Sequence, residues 1–192
     1  MKWILLLVSS ALVNNITLVR FLGTCPFLGM SRSIKTGASM GLATTFVLVG
    51  AGAVSWLVDR LVLQPLDLGY LRTLAFILVI AVFVQFLEMV IRKTNRALYE
   101  AFGIYLALIT TNCAVLGLAL MASDRAYDLV ETMVFGLGTG LGFTLALVLM
   151  AAIREELAYA RVPGVFEGTP LALVIAGLLS LSFMGFAGLV PL

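Results

Sequence analysis

Apolar residues run along this chain in long unbroken blocks, without the alternation of a half-buried strand or the single stripe of a surface helix. Uncharged runs over Gly37–Val58, Ala101–Ser123, Thr132–Ile153 and Gly168–Leu192 are 22 to 25 residues long, against the roughly 20 that a helix needs to cross a bilayer. Thr73–Leu87 stops at Glu88, and Met89–Ile91 extend it to a full span. Trp3–Val19 ends at Arg20, and the apolar stretch resumes from Phe21 to Ser31. The pattern predicts an all-α integral membrane protein: six transmembrane helices in a single membrane domain over residues 1–192. A barrel would alternate along each strand.

Composition supports that reading. A mean hydropathy of +1.14 with 11% charged residues excludes a soluble domain of this length. Lys2 followed by Trp3–Val13 is similar to the start of a secretory signal, but no convincing small-x-small cleavage site precedes Asn14, so the segment is expected to remain as a helix. Seven basic residues (Arg32, Lys35, Arg92, Lys93, Arg96, Arg154, Arg161) are expected on one face of the membrane and four (Lys2, Arg60, Arg72, Arg125) on the other. The richer side is cytoplasmic by the positive-inside rule, which leaves both termini outside.

With no histidine in the chain, its two cysteines are the best lead to chemistry. Both stand in a C-x-x-L-G motif, Cys25–Gly29 and Cys113–Gly117. An offset of 88 superposes these motifs; an offset of 95 superposes Gly41-Leu42-Ala43-Thr44 on Gly136-Leu137-Gly138-Thr139, and Leu78–Ala81 on Leu173–Ala176. A seven-residue insertion near Ser123–Val130 reconciles the two. Two repeats, about 1–96 and 97–192, of three spans each must enter the membrane in opposite directions, the inverted arrangement of many transporters. Both cysteine segments look like helix interruptions. Pro26, flanked by Gly23 and Gly29, disrupts one helix, while Thr110-Thr111-Asn112 can satisfy freed backbone groups in the other. Cys25 lies 22 residues after Trp3, too far for the middle of a straight span, so the first span is displaced, tilted or broken.

Three uses of the thiols are open from the residues alone. They can serve as small buried hydrophobes, form a disulfide if the two sites meet, or ligate a soft metal. An iron–sulfur cluster takes four thiolates, so this chain would need two more from another protein.

Phe21–Gly29 and Leu108–Gly117 resemble the signature segments of the Rnf (Rsx) electron transport family, in its A-type membrane subunits. These are similar to the E-type subunits of the sodium-pumping NADH:quinone reductase. Gly41–Phe46, Tyr70–Ala81 and Ala151–Glu155 agree, so the resemblance runs over nearly the whole chain. It implies a six-span, multi-pass protein of the bacterial inner membrane, with a homologous E-type subunit of opposite topology as partner. Cys25 and Cys113 would then be ligands to one [2Fe–2S] cluster, with two more cysteines from that partner. The cluster would relay electrons within an ion-translocating ferredoxin:NAD oxidoreductase coupled to Na+ or H+ movement. Flavin and dehydrogenase chemistry would belong to other members of the Rnf complex, and this chain alone would hold no complete active site.

Other candidates carry less. Gly136, Gly138, Gly140 and Gly142, with Gly37/Gly41 and Gly185/Gly188, read as helix-packing surfaces. Thr44 and Thr139 lack the surroundings of a flavin attachment point. Arg20 and Glu88 are ionisable near span interiors or ends, with Glu88 one turn from Arg92. Asn14, Asn15 and Asn112 can coordinate an ion or cap broken backbone, and Glu155 and Glu156 are expected in the loop after the fifth span. A secondary transporter-like ion module, or a structural scaffold, would share the helical pattern but make no use of paired thiols.

Overall fold

The computed structural model describes residues 2–31, 33–65, 69–94, 108–159 and 168–185. Among these every regular element is helical. Helix α1 (Lys2–Val8) widens into a π-type turn over Ser9–Val13. After an irregular stretch come α2 (Thr24–Met30), α3 (Ile34–Val58, prolonged by a wide turn over Asp59–Leu63) and α4 (Arg72–Thr94). Then follow α5 (Cys113–Asp124), α6 (Leu129–Leu157) and α7 (Thr169–Met184). Three helical stretches are long and apolar enough to cross a membrane: Ile34–Leu63, Gly69–Val90 and Leu129–Leu157. Trp3–Val13, Leu108–Asp124 and Thr169–Met184 are shorter apolar helices. Residues 101–107 and 186–192 of the expected spans, with Arg32, Arg96, Arg161 and Gly188, lie outside the described residues.

Helix α6 is longer than its apolar run. Asp128 and Glu131 cap its start reciprocally, the Asp128 N–H donating to the Glu131 carboxylate at 3.3 Å. At the other end the helix continues through Arg154, Glu155 and Glu156. This corrects the expectation of a loop there: these residues are good helix formers, and backbone bonding need not stop where the hydrocarbon does.

The core is built on an antiparallel pair, α3 against α6, and glycine decides how close they come. A Cβ on Gly41 would sit 2.6 Å from Thr144 Oγ1, one on Gly140 2.5 Å from Thr45 Cγ2, and one on Gly136 3.3 Å from Val49 Cα. Gly37 faces Leu147, and Gly52 faces Thr132. The alternate glycines of α6 divide between two neighbours. Gly136 and Gly140 face α3, whereas Gly138 and Gly142 face Leu7, Ser10 and Ala11 of the first helix. One helix thus makes two small-residue seams, each at i, i+4 spacing.

This register sorts the basic residues. Lys35 at the start of α3 lies at the same end as Arg154 of α6, and Arg60 lies at the same end as Arg125. Arg72 joins the second group through Asp124, at 3.3 Å, and Asp59, at 3.5 Å. The latter is an electrostatic contact without hydrogen-bond geometry. The grouping into two faces expected from the sequence holds for these residues.

Candidate functional site

The first span is broken at mid-depth. Ala11 packs on Gly142, and Gly23 packs on Phe143, one residue along α6. The stretch from Ala11 to Gly23 therefore makes almost no progress across the molecule, where a straight helix of that length would advance about 18 Å. Phe143 is the central residue of α6, midway between Leu129 and Leu157. That resolves the overshoot of Cys25: α1 climbs to the middle, the chain doubles back, and α2 starts again there.

Asn15 holds the break together. It is wholly buried, and its amide donates to the carbonyls of Ala11 (3.2 Å) and Gly142 (2.8 Å). Its oxygen accepts from the N–H groups of Thr17 (3.1 Å) and Leu18 (3.3 Å). Both donors and both lone pairs are used on backbone, so this asparagine caps the break and keeps no capacity for an ion. Ser180 of α7 donates to the Leu18 carbonyl at 2.6 Å. Irregular backbone at this depth is tolerated because the protein itself satisfies it.

Gly23 (φ +81°) turns the chain into α2. Only glycine adopts this conformation at little cost, and a Cβ here would meet Phe143, Ala114 and Asn112 at 3.0 to 3.2 Å. Pro26 falls in the first turn of α2, where its missing N–H has no intrahelical partner to lose. It follows the break and bars the helix from extending backwards; the turn itself belongs to Gly23. Gly29 lies inside α2, with open space beside it.

The second break faces the first. Asn112 is extended (ψ 112°) and caps α5, its side-chain oxygen accepting from the Ala114 N–H at 3.0 Å. Cys113 is the first residue of α5, and its sulfur accepts the N–H of Gly23 at 2.9 Å. Two sequence segments 90 residues apart are thereby joined at the middle of α6. Both expected interruptions are present, and each cysteine stands in the first turn of the helix that restarts. From this point α2 runs towards Arg154, which donates to the Leu28 carbonyl and the Ser31 hydroxyl, both at 2.9 Å. Helix α5 runs the other way, to Ser123, which donates to Asp59 at 2.9 Å.

Both thiols are free, Cys25 exposed and Cys113 partly so; the disulfide alternative is not realised. Exposure of Cys25 also removes it from the core. Among the described residues no group of three or more His, Cys, Asp or Glu comes together. Arg20 is exposed in the doubled-back segment, and Asn14 lines a mainly apolar cavity with Leu5, Ser9, Arg125 and Tyr127. Thr44 and Thr139 are buried in the α3–α6 pair. Sequence reasoning missed the Gly23–Cys113 bond, the Phe143 seat and the Arg154 tie, none of which has a local signal.

The residues fit a shared soft-metal group. Two thiols reach the chain surface at helix restarts, and a backbone donor is already on one sulfur. Such donors stabilise thiolates and tune what they bind. Comparison with known proteins agrees with the resemblance first met in the cysteine segments. The family model described as "Rnf-Nqr subunit, membrane protein" matches residues 3–190. Proteins named as the A subunits of ion-translocating oxidoreductase complexes are similar over nearly their full length. That of Azoarcus sp. is 55% identical over 98% of this chain and 97% of its own. Those of Proteus mirabilis and Citrobacter koseri are 56% and 57% identical, each over 99% of this chain and 98% of the relative. The chain, a multi-pass helical membrane protein, belongs to the Rnf–Nqr family of membrane subunits.

Proposed function

We propose that this chain acts as the A-type membrane subunit of an Rnf-type ion-translocating ferredoxin:NAD oxidoreductase complex. On this reading Cys25 and Cys113 provide two of the four thiolates of a [2Fe–2S] cluster, and a homologous E-type subunit of opposite topology provides the other two. The observation that carries it is the meeting of the two cysteine segments at mid-depth, with the Gly23 N–H on the Cys113 sulfur and Cys25 exposed. When bound, such a cluster supplies one-electron transfer across the apolar layer.

This chain's residues prepare for it in three ways. Asn15 and Asn112 hold the two breaks open by satisfying backbone. Gly23 gives its N–H to sulfur, and a thiol is so weak an acceptor that the donor suits a ligated thiolate better. Phe27, Phe143 and Val115 are buried in the apolar core around the junction, which strengthens any electrostatic interaction there.

The inverted repeat has support of its own. Contacts between α3 and α6 run from Gly37–Leu147 to Gly52–Thr132 and centre on Thr45 opposite Gly140. Those two residues are 140 − 45 = 95 apart, the offset at which the flanking motifs align. We place the Lys35–Arg154 end in the cytoplasm of a bacterial inner membrane, and the Arg60–Arg125 end, with both termini, on the periplasmic side. The test of the cluster is chemical. Relative to wild type, complexes purified with Cys25→Ser or Cys113→Ser should lack about two irons and two acid-labile sulfides. Unchanged iron and sulfide in both would leave an ion-conducting module without a redox role of its own.

A further inference from the structure

Next to Cys113 in the chain, a buried donor is left over. Asn112 is 4% exposed, and its oxygen is committed to the Ala114 N–H. That bond fixes the orientation of the amide, because a flipped group would set NH2 against N–H. The nitrogen, Nδ2, is then the half of the carboxamide not used in the cap, and it is buried with no hydrogen-bond partner among the described residues. Buried polar groups are nearly always satisfied, and an orphan calls for a cause.

The contrast with Asn15 sharpens the point. Both asparagines sit at a helix break and both cap backbone through oxygen, but Asn15 also places its two N–H groups on carbonyls. At Asn112 the neighbourhood is different. Its carboxamide oxygen lies 3.2 Å from where a Gly23 Cβ would be, and the Gly23 N–H is already on the sulfur of the next residue, Cys113. That sulfur is an acceptor on the adjoining residue, and the amide makes no hydrogen bond to it while it is a free thiol. As a thiol it accepts weakly; as a metal-bound thiolate it has lone pairs for more than one donor.

We propose that the Asn112 side-chain N–H is a second donor to the Cys113 sulfur in its ligated, thiolate form. With Gly23 it sets the reduction potential of the group those thiolates hold. This rests on the cluster reading above. Donors to ligand sulfur stabilise the more negative, reduced state, so Asn112 raises the potential. The cap through its oxygen is a separate job, which Ser or Asp can also perform.

The experiment uses the purified complex with Asn112→Ser and Asn112→Asp. The first keeps the cap and withdraws the donor; the second keeps the shape and turns the donor into an acceptor. Redox titration of the cluster signal is combined with proton electron–nuclear double resonance in H2O and D2O. The expected result is a retained cluster whose midpoint potential shifts negative in Asn112→Ser and further in Asn112→Asp. One exchangeable-proton coupling should be lost in both. An unmoved potential and unchanged couplings in an assembled Asn112→Ser complex would overturn the donor role while leaving the cluster reading intact. An assembled Asn112→Ser complex without a cluster would also overturn it, by making the amide a requirement for loading. Absence of any cluster signal from the wild-type complex overturns the underlying reading instead.

Discussion

Two asparagines, one glycine and two cysteines define this junction, and their roles are distinct. Asn15 spends four hydrogen-bonding sites on backbone. Asn15→Ala leaves the Thr17 and Leu18 N–H groups unpaired in an apolar interior. It should lower stability by roughly 2–4 kcal/mol, read as a lower melting temperature of the purified complex in detergent. Gly23→Ala adds a left-handed strain of about 1–2 kcal/mol to three close contacts. It should also shift the Gly23 N–H off Cys113, and reduced iron content at normal complex assembly would show this. Short polar side chains beside the cysteines were visible in the sequence. What each one bonds to was not, because the Asn15 partner, Gly142, lies 127 residues away. Burial decides such roles, and burial is a tertiary property.

Among elements, the broken helices were the most legible part of the fold. The Cys25 segment overshoots a straight span, and three polar residues precede Cys113; both signs mark real interruptions. The agent of the first break was less legible. Pro26 is the louder residue, yet Gly23 makes the turn and Pro26 sits in the following first turn. The run of alternate glycines in α6 was readable as a packing surface, but only the structure assigns Gly138 and Gly142 to the first helix and Gly136 and Gly140 to α3. Gly142→Leu drives a side chain into the Ala11 carbonyl, 2.5 Å from the position of its Cβ. It should cost about 1–3 kcal/mol as overpacking. Leu141→Ala, on the exposed face of the same turn, should leave the melting temperature within about a degree or two of wild type. Equal losses from both substitutions would mean that the seam between α1 and α6 is looser than the Ala11–Gly142 contact requires.

For the whole molecule, the two ends of the α3–α6 pair carry different polar ties: Arg154 to the end of α2, and Asp59 to Ser123 at the end of α5. Each tie anchors a half-helix that begins at the cysteine junction, so the junction is braced from opposite faces of the membrane. The proposed orientation predicts that cysteines introduced at Glu155 and at Tyr70, both exposed, label from opposite sides of sealed cells. Tyr70 should be reached by a membrane-impermeant maleimide from the periplasm, and Glu155 only after permeabilisation. Charge bias could sort the basic residues into two groups because hydrophobic length fixes where spans end. It could not reveal that the first span stops halfway and resumes. Whether Cys25 and Cys113 hold one metal group at this braced mid-depth junction is the question on which the rest depends. Electron paramagnetic resonance of the reduced, purified complex, wild type against Cys113→Ser, tests it most directly. One [2Fe–2S] signal is expected in the wild type and should be absent or altered in the variant while all protein components still copurify; an identical signal in both would contradict a cluster held by these thiols.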